Sequence, residues 1–516
     1  MKTKFVFALQ YLPLFFVIAL SLLFRFYRVL DFQFWSSDEE IIAHFVRKIV
    51  EDRRLFLISP NFSLGISLGS GFYMVSGILY GLVRLNPITA LQIGTMLGVV
   101  TTLLIYKIGK EMRNTRLGIF AGFLYACSFL ASLNDRRWWT LTTVPFFTSL
   151  CILALMQIMK KKYGYFTLLA FSITSAWQID PNLGILPILA GIVYIIYKIP
   201  LLHAKYRWGW ILIIISLLPL IFFEIRHPGS LTHPLTEKIG QYRSQTIPIN
   251  EIISSFFEYG IRIPTIYAQY IAVYPNKKMD ALFNWIYDPK IVLSPLPQIF
   301  ILFLFALTLV WVWQNRKNNS FTKQSVVLLW LFFCTFLVVL FICRLIFKLP
   351  WRPYYFHVST PILFLLLAFG IDILYQKKKT VALFLVGAFM IINWWTLVYS
   401  DFEYPLKDKQ QLVETILKQI GTQPFTLRTV ARNNLKYSGF TGLFVLNHGT
   451  LLSSDEYVAL DWWFRAHSLY FVNPDQKQFT YSVFIAPASS LLPVRQEIFS
   501  TQEGSLYASI ININKK

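Results

Sequence analysis

Long apolar stretches separated by short polar segments run through the first 400 residues of the chain. A helix needs about 20 apolar residues to cross the hydrocarbon core of a bilayer, and the pattern predicts about eleven such helices. We therefore expect an all-α polytopic membrane protein whose first span is a retained signal anchor. The predicted spans are residues 5–24, 88–107, 117–133, 141–159, 163–179, 182–198, 208–224, 296–313, 324–346, 354–374 and 380–398.

Basic residues between the spans predict the topology. With the N-terminus in the cytoplasm, the loops on that side collect lysine and arginine, as the positive-inside rule requires. Another apolar stretch, residues 64–83, would reverse every later helix if it crossed the membrane. We therefore predict a juxtamembrane or membrane-dipping helix there, within a first outer loop of residues 25–87. The basic inner loops lie at residues 2–4, 107–116, 160–162, 198–207, 316–323 and 377–379.

The pattern changes near residue 400. Apolar residues at helical spacing between 412 and 420 stop at Gly421, and several short β-rich runs follow. The chain is thus predicted to comprise a membrane domain, residues 1–400 with a long outer loop at 225–295, and a small extracytoplasmic α/β domain, residues 401–516. The predicted strands are TLRTVAR (426–432), GLFVL (442–446), SLYFV (468–472), YSVFIA (481–486) and LYASIIN (506–512).

Composition supports the membrane assignment. Of 516 residues, 55% are hydrophobic and 14% charged, which excludes a water-soluble globule of this size. The net charge of +22 comes from basic clusters between apolar runs, so it indicates topology and no nucleic-acid partner. All four cysteines lie in apolar runs without metal or disulfide spacing, and are predicted to be core residues. They are Cys127, Cys151, Cys334 and Cys343.

Three acids follow the first span in the segment FWSSDEEIIAHFVRK, residues 34–48. Ser37 and Glu40 have the spacing of a capping box, so Asp38, Glu39 and Glu40 are expected in the first turn of a helix that ends near residue 50. Acids also favour helix N-termini because of the macrodipole, so a purely structural role is one alternative.

Helical spacing separates these acids. Asp38 shares an apolar stripe with Ile41 and Phe45, whereas Glu40 is expected on a wet side with His44 and Lys48. An ionisable group on an apolar stripe is costly unless it is paired or used in chemistry. Asp38 is therefore the first candidate for a functional carboxylate.

Several segments beyond the Asp38–Glu39 pair form an ordered set of landmarks. They are the basic loop and span at 107–133, NDRRWW at 134–139, WQIDPNLGILP at 177–187, LPLIFFEIRHP at 218–228 and LPWRPYYFHVSTPILFLLLAFGI at 349–371. In this order, over residues 5–400, they resemble the GT-C membrane glycosyltransferases, particularly the branch of protein O-mannosyltransferases and lipid A aminoarabinose transferases. The sequence departs from that branch at 61–74, which lacks a His-Pro-Pro or Lys-Pro signature, and at Asp135, which precedes two arginines and two tryptophans instead of following Ser-Arg.

The resemblance implies a GT-C fold and transfer of a sugar, with inversion, from a polyprenyl-phosphate-linked donor to an acceptor hydroxyl. The reaction is expected on the outer face of a prokaryotic plasma membrane. A hydroxyl needs a base to take its proton as it attacks the anomeric carbon, and Asp38 is predicted to be that base. The lipid phosphate that leaves needs fixed cations or a metal. Membrane lipid is an expected partner, and the acceptor is an unknown glycan, lipid or protein.

The resemblance also implies supporting residues. Glu39 and Asp135 are predicted catalytic acids, and a divalent cation bound by Asp38, Glu39 and Asp135 is an open alternative. Arginines at helix ends commonly contact lipid headgroups instead, Asp135 is equally consistent with an ion pair to Arg136, and Asp180 with a simple turn. Predicted substrate-binding residues are Arg352, Tyr354, Tyr355, Arg226, Arg136 and His357.

Other functions are consistent with many spans. Transporters and lipid flippases usually place ionisable residues or broken helices near mid-membrane, whereas these acids gather at predicted outer helix ends. A lipid-linked glycan polymerase or ligase is a nearer alternative, and a non-catalytic scaffold displaying the C-terminal region would need none of the acids.

Overall fold

The computed structural model describes residues 2–60, 67–243, 248–276, 292, 295–347, 352–429, 438–454, 456, 481–488 and 497–512. Helices dominate. They are α1 Lys2–Phe26, α2 Val29–Phe32, α3 Ser37–Val50, α4 Gly71–Leu82, α5 Pro87–Met112, α6 Thr115–Cys127, α7 Phe129–Asp135, α8 Thr140–Met159, α9 Phe166–Gln178, α10 Ile185–Ile196, α11 Arg207–Arg226, α12 Thr232–Arg243, α13 Ile249–Gln269, α14 Leu296–Gln314, α15 Phe321–Phe347, α16 Thr360–Lys377, α17 Lys379–Tyr399, α18 Leu406–Ile420 and α19 Phe440–Leu446.

Helices occupy each of the predicted spans. Within the described residues, seven helical segments are long and apolar enough to cross a membrane, and shorter apolar helices accompany them. Many of their apolar side chains face outward: α11 exposes Trp208, Ile214 and Phe222, as a lipid-facing surface requires. The chain is thus a multi-pass membrane protein of the predicted all-α class. The count of eleven crossings stays a prediction.

The predicted span at 117–133 is a broken helix. Helices α6 and α7 meet at an angle of 69°, and Ser128 between them has an extended backbone. Side chains pair the polar groups that the break frees: the Phe129 N–H donates to Asn393 Oδ1 over 2.8 Å, and Ser128 Oγ donates to the Tyr270 carbonyl over 2.8 Å. Because these partners are distant in sequence, an apolar pattern alone predicts an unbroken helix.

The apolar stretch at 64–83 contains α4, Gly71–Leu82, and its residues 64–66 lie outside the described residues. Twelve helical residues extend about 18 Å, less than the hydrocarbon thickness of about 30 Å. The helix packs on α3, and Phe45 contacts Tyr73 with their ring centroids 4.8 Å apart. A short helix beside the membrane, as predicted, fits this length better than a crossing.

Two groups of connecting segments lie at opposite ends of α8. At its C-terminal end, Lys160 pairs with Glu111 over 2.6 Å, and Arg113, close by on the α5–α6 connection, pairs with Asp372 over 2.6 Å. These ion pairs at the C-terminal end of α8 join segments that the sequence assigns to the cytoplasmic side. At the N-terminal end of α8, the segments around Asp38, Arg137 and Tyr354 come together.

The described part of the C-terminal region, residues 401–516, contains a five-stranded sheet. Strands β1 Phe425–Thr429, β2 Leu451–Ser454, β3 Tyr481–Pro487, β4 Glu497–Glu503 and β5 Leu506–Asn512 have the order β2-β1-β3-β5-β4. Strand β1 is parallel to β2 and β3, and β5 is antiparallel to β3 and β4. Helix α18 packs on β4 and β5 and ends at Gly421, which has a φ of +60°, as predicted.

The strand predictions succeeded in part. TLRTVAR and YSVFIA overlap β1 and β3, and LYASIIN coincides with β5, whereas GLFVL at 442–446 is wrong because it belongs to α19. Residues 430–432 of TLRTVAR lie outside the described residues. All five of its residues are buried, so its continuous apolar run suits a buried helix as well as a strand. SLYFV at 468–472 lies outside the described residues.

Candidate active site

Ser36 and Glu39 cap helix α3. The Ser36 backbone N–H and Oγ both donate to Glu39 Oε2 over 2.9 Å, which gives a capping box. The box lies one residue earlier than the predicted Ser37–Glu40 pair. The helix itself spans Ser37–Val50, as predicted.

Glu39 forms a buried ion pair with Arg137. Its Oε1 accepts from Arg137 Nε over 3.0 Å and from Nη2 over 2.7 Å, and neither side chain is more than 3% exposed. The guanidinium also lies over the ring of Trp139, 3.7 Å from its centroid. A buried pair is costly to break from one side, so this contact fixes the start of α3 against the α7–α8 connection.

Asp38 is left free by these contacts. The carboxyl is half-buried, and no hydrogen bond to it is found within the described part of the chain. Burial and the adjacent Glu39 charge together raise the pKa of Asp38 to about 7, against the opposing effect of Arg137. A carboxyl group with a pKa near neutrality is suited to accept a proton during a reaction.

Aromatic and basic groups from other segments surround Asp38. Its charge acts on the phenols of Tyr73 on α4 and Tyr354 on the 3₁₀ helix Pro353–Ser359. Arg352 acts on both Tyr354 and Tyr355, whose ring centroids are 4.6 Å apart. The structure therefore brings the predicted Arg352, Tyr354 and Tyr355 to the same site as Asp38.

Asp180 is a second acid of this site. It precedes the 3₁₀ helix Pro181–Gly184, accepts from the Asn182 N–H over 2.9 Å, and accepts from Thr140 Oγ1 over 2.6 Å. Burial raises its pKa to about 6, against the effect of the Thr140 hydrogen bond. Asp180 thus caps the turn that the sequence allowed, and its charge also reaches Tyr73 and Tyr355.

Asp135 lies in a separate polar cluster. Its Oδ2 accepts from Arg25 Nε over 2.9 Å and from Nη2 over 2.6 Å, and Tyr125 donates to the same carboxylate. Among the described residues, no group of three or more acids, histidines and cysteines is arranged to hold a metal ion. The structure therefore does not bring Asp38, Glu39 and Asp135 together as ligands.

Three other predicted residues form no hydrogen bond or ion pair with Asp38 among the described residues. Arg136 is fully buried and donates to the carbonyls of Phe24, Arg25 and Tyr27. His357 Nε2 is 2.8 Å from the Asn134 side-chain amide, beside Asp135 in a small internal cavity. Arg226 is exposed at the end of α11, and no hydrogen bond or ion pair to it is found in the described ranges.

Glu40 and His44 are not on a wet side. Both are buried, at 1% and 4% exposure, because α19 of the C-terminal region packs on this face of α3. Sequence reasoning missed this contact, and it passed over Tyr73 and Trp139 in the site. The high content of aromatic residues, 17% of the chain, was the one sequence signal consistent with aromatic side chains lining the site.

Solved structures of similar fold exist. The crystal structure of ArnT from Cupriavidus metallidurans bound to undecaprenyl phosphate superimposes with a TM-score of 0.57 and 10% identity, covering 96% of this chain and 97% of that one. The Archaeoglobus fulgidus oligosaccharyltransferase in complex with zinc and sulfate gives a TM-score of 0.48 and 11% identity, covering 92% of this chain and 68% of that one. The Archaeoglobus fulgidus oligosaccharyltransferase AglB with an inhibitory peptide and a dolichol-phosphate gives 0.43 and 10%, with 92% and 69% covered.

No family model matches the sequence, and no curated protein is detectably similar to it. The likeness to ArnT is therefore one of architecture, over nearly the full length of both chains. It confirms the predicted GT-C fold.

Proposed function

We propose that this protein is a GT-C membrane glycosyltransferase that moves a sugar from a polyprenyl-phosphate-linked donor to an acceptor hydroxyl. The observation that carries the proposal is the position of Asp38, beside the Glu39–Arg137 pair and without a hydrogen bond to any described residue; burial and Glu39 also raise its pKa to about 7. Support also comes from the ArnT-like fold, because ArnT was crystallised with undecaprenyl phosphate. The site then faces the extracytoplasmic side of the plasma membrane, since the basic loops belong to the opposite end of the bundle.

The residues divide into three roles. Asp38 takes the proton of the acceptor hydroxyl as its oxygen bonds to the anomeric carbon. The bond from that carbon to the phosphate oxygen breaks on the opposite face, so the configuration inverts and polyprenyl phosphate leaves. Arg352 stabilises the negative charge on the leaving phosphate, and Tyr354 and Tyr355 provide hydroxyl donors and an aromatic surface for the sugar or its phosphate.

Glu39 and Arg137 hold this arrangement. Their buried pair fixes the turn of α3 that carries Asp38, and Trp139 stacks beneath the guanidinium. Effective catalysis requires the base within hydrogen-bond reach of the acceptor, and small displacements are costly. Glu39 is thus a positioning residue in this proposal, and Asp135 with Arg25 stabilises the helical bundle instead of acting on substrate.

The test compares purified wild type with Asp38→Asn on a panel of polyprenyl-phosphate sugars, with release of polyprenyl phosphate as the measurement. Wild type is expected to release it and Asp38→Asn to be at least about a hundredfold slower, in line with loss of a general base. Asp52→Asn is the matched control, because Asp52 is an exposed acid just beyond the other end of the same helix.

Equal turnover by wild type and Asp38→Asn would remove Asp38 as the base. Failure of wild type on every donor, combined with uptake or flipping of one of the labelled lipids in vesicles, would favour a transporter. An Arg352→Ala variant checks the phosphate role separately, since its expected defect is a lower kcat together with a higher KM for the donor, with a smaller change in KM for the acceptor.

A further inference from the structure

The face of α3 opposite Asp38 is covered by the C-terminal region. Consecutive helical residues differ by about 100°, so Glu40 points about 200° away from Asp38. Glu40 Oε1 accepts a hydrogen bond from the Gly442 N–H over 2.8 Å. A Cβ atom at Gly442 would lie 2.9 Å from Glu40 Cα, so only glycine permits this approach of α19 to α3.

A second buried carboxyl meets Glu40 at this contact. Glu456 accepts from the Thr441 N–H over 2.8 Å and from Thr441 Oγ1 over 2.6 Å. Glu40 Oε2 is buried with no N–H donor in the described part of the chain, and its neighbour is the Glu456 carboxyl. Burial and the Glu456 charge hold the pKa of Glu40 well above its usual range, and burial also raises the pKa of Glu456. The two carboxyl groups therefore fit a shared proton.

Further hydrogen bonds link the same two parts. Trp35 Nε1, just before α3, donates to the Gly439 carbonyl over 2.8 Å. Lys409 Nζ on α18 donates to the Trp35 carbonyl over 2.8 Å, and Arg47 near the end of α3 donates to the Val445 carbonyl over 3.0 Å. Helix α3 is thus bonded to the C-terminal region before its start, in its first turn and in its last.

We propose that the C-terminal region positions the candidate base, with Glu456 and Gly442 holding Glu40 so that Asp38 faces the site. The proposal rests on the proposed function for its catalytic consequence, and it gives the C-terminal region a role within the reaction. Helix α3 lies between α4 on one side and α19 on the other. Among the described residues, loss of the α19 contact leaves the Glu39–Arg137 pair, the packing on α4 and the Lys409–Trp35 hydrogen bond to fix its rotation.

The contact has an expected pH dependence. Because the pKa of Glu40 is raised in the folded protein, its contribution to stability is present at low pH and is lost as pH rises through that raised pKa. The cation Lys409 acts on both carboxyl groups, and burial lowers its own pKa to about 8. At high pH both Glu40 and Glu456 are ionised and repel each other. The contact between α3 and the C-terminal region is then expected to weaken.

The experiment combines hydrogen–deuterium exchange with kinetics on full-length protein in detergent. Glu40→Ala and Gly442→Ala are expected to increase exchange in residues 37–50 while α5 and α8 stay protected. Their kcat is expected to fall by about tenfold to a hundredfold, the usual cost of misplacing a reacting group, with little change in donor KM. Lys418→Ala, at an exposed position of α18, is the matched control and should change neither.

Glu40→Gln separates positioning from bulk stability. Glutamine has the shape of a neutral glutamic acid, and its amide can donate a hydrogen bond to Glu456. Both the exchange protection of α3 and kcat should therefore be retained in Glu40→Gln. Because glutamine does not ionise, α3 in this variant should also stay protected at high pH. Exchange in α3 that stays at the wild-type level in Glu40→Ala and Gly442→Ala overturns the proposal. So does loosened exchange with an unchanged kcat. If wild type transfers no sugar, the proposed function fails, and the exchange results alone decide whether the C-terminal region holds α3.

Discussion

The pH dependence of sugar transfer tests the assignment of Asp38 directly. With a pKa of about 7, about one tenth of Asp38 is ionised at pH 6 and about one hundredth at pH 5. The base must be ionised to accept a proton, so kcat/KM should rise about tenfold per pH unit up to about pH 7 and then level off. An aspartate with its ordinary pKa of 3.8 would give a flat profile over that range.

Two charge-removing variants should move this midpoint in opposite directions. Glu39→Gln removes the charge that raises the pKa of Asp38, so the midpoint falls. Arg137→Gln removes the charge that lowers it, so the midpoint rises. Arg137→Gln also leaves Glu39 buried without its cation, and we expect it to lose about 3–5 kcal/mol of unfolding free energy.

The assay is release of polyprenyl phosphate from the donor that wild type uses, measured from pH 5 to pH 9 at subsaturating donor, with thermal unfolding recorded at each pH. Lys418→Ala serves as the control whose midpoint should not move. A flat wild-type profile, or midpoints that shift in the same direction in both variants, would refute the electrostatic account of Asp38.

Three further variants test the packing of the helical bundle near α7, which carries Asp135. Asp135→Ala leaves Arg25 without its carboxylate partner, so we expect a loss of about 3–5 kcal/mol, read as a lower Tm in detergent; an unchanged Tm contradicts this. Asn393→Ala removes the acceptor of the N–H that starts α7, with an expected loss of about 1–3 kcal/mol in unfolding free energy measured in denaturant, whereas no loss would mean that the bend is held otherwise. Gly98→Ala places a Cβ atom 2.3 Å from Asp135 Oδ2, whereas the control variant Gly191→Ala meets nothing within 4 Å. Size-exclusion chromatography should therefore show less monodisperse protein for Gly98→Ala and an unchanged profile for Gly191→Ala. Equal profiles for the two variants would contradict the predicted clash.

The membrane helices were predictable because their signal is local. An apolar run of the required length specifies a spanning helix whatever surrounds it, and the basic loops order the two ends of the bundle. The same reasoning placed Asp38 at the start of a helix beside the membrane, whereas its association with Arg352, Tyr354 and Tyr355 had another source. These residues are separated by more than 300 positions, and the family resemblance rather than periodicity joined them.

The failures share a physical cause, which is packing between distant parts of the chain. GLFVL at 442–446 has an apolar run suited to either a strand or a buried helix, and its contact with α3 selects the helix. The ion pair of Asp135 with Arg25 on α1 was missed as well, because the sequence suggested only the adjacent Arg136 as its partner. Glu40 was predicted to face water because residues 34–48 contain no signal for the contact with Gly442 and Glu456, which are about 400 positions away in the sequence.

Three consecutive acids at one helix start are explained by their three different directions. Successive side chains rotate by about 100°, so the first turn of α3 reaches three surroundings at once. Glu39 binds Arg137 of the bundle, and Glu40 meets Gly442 and the Glu456 carboxyl of the C-terminal region. Asp38 is the acid of the three without a hydrogen bond to any described residue. In this proposal the two flanking contacts fix the helix on both sides, and so leave Asp38 oriented and free to accept a proton.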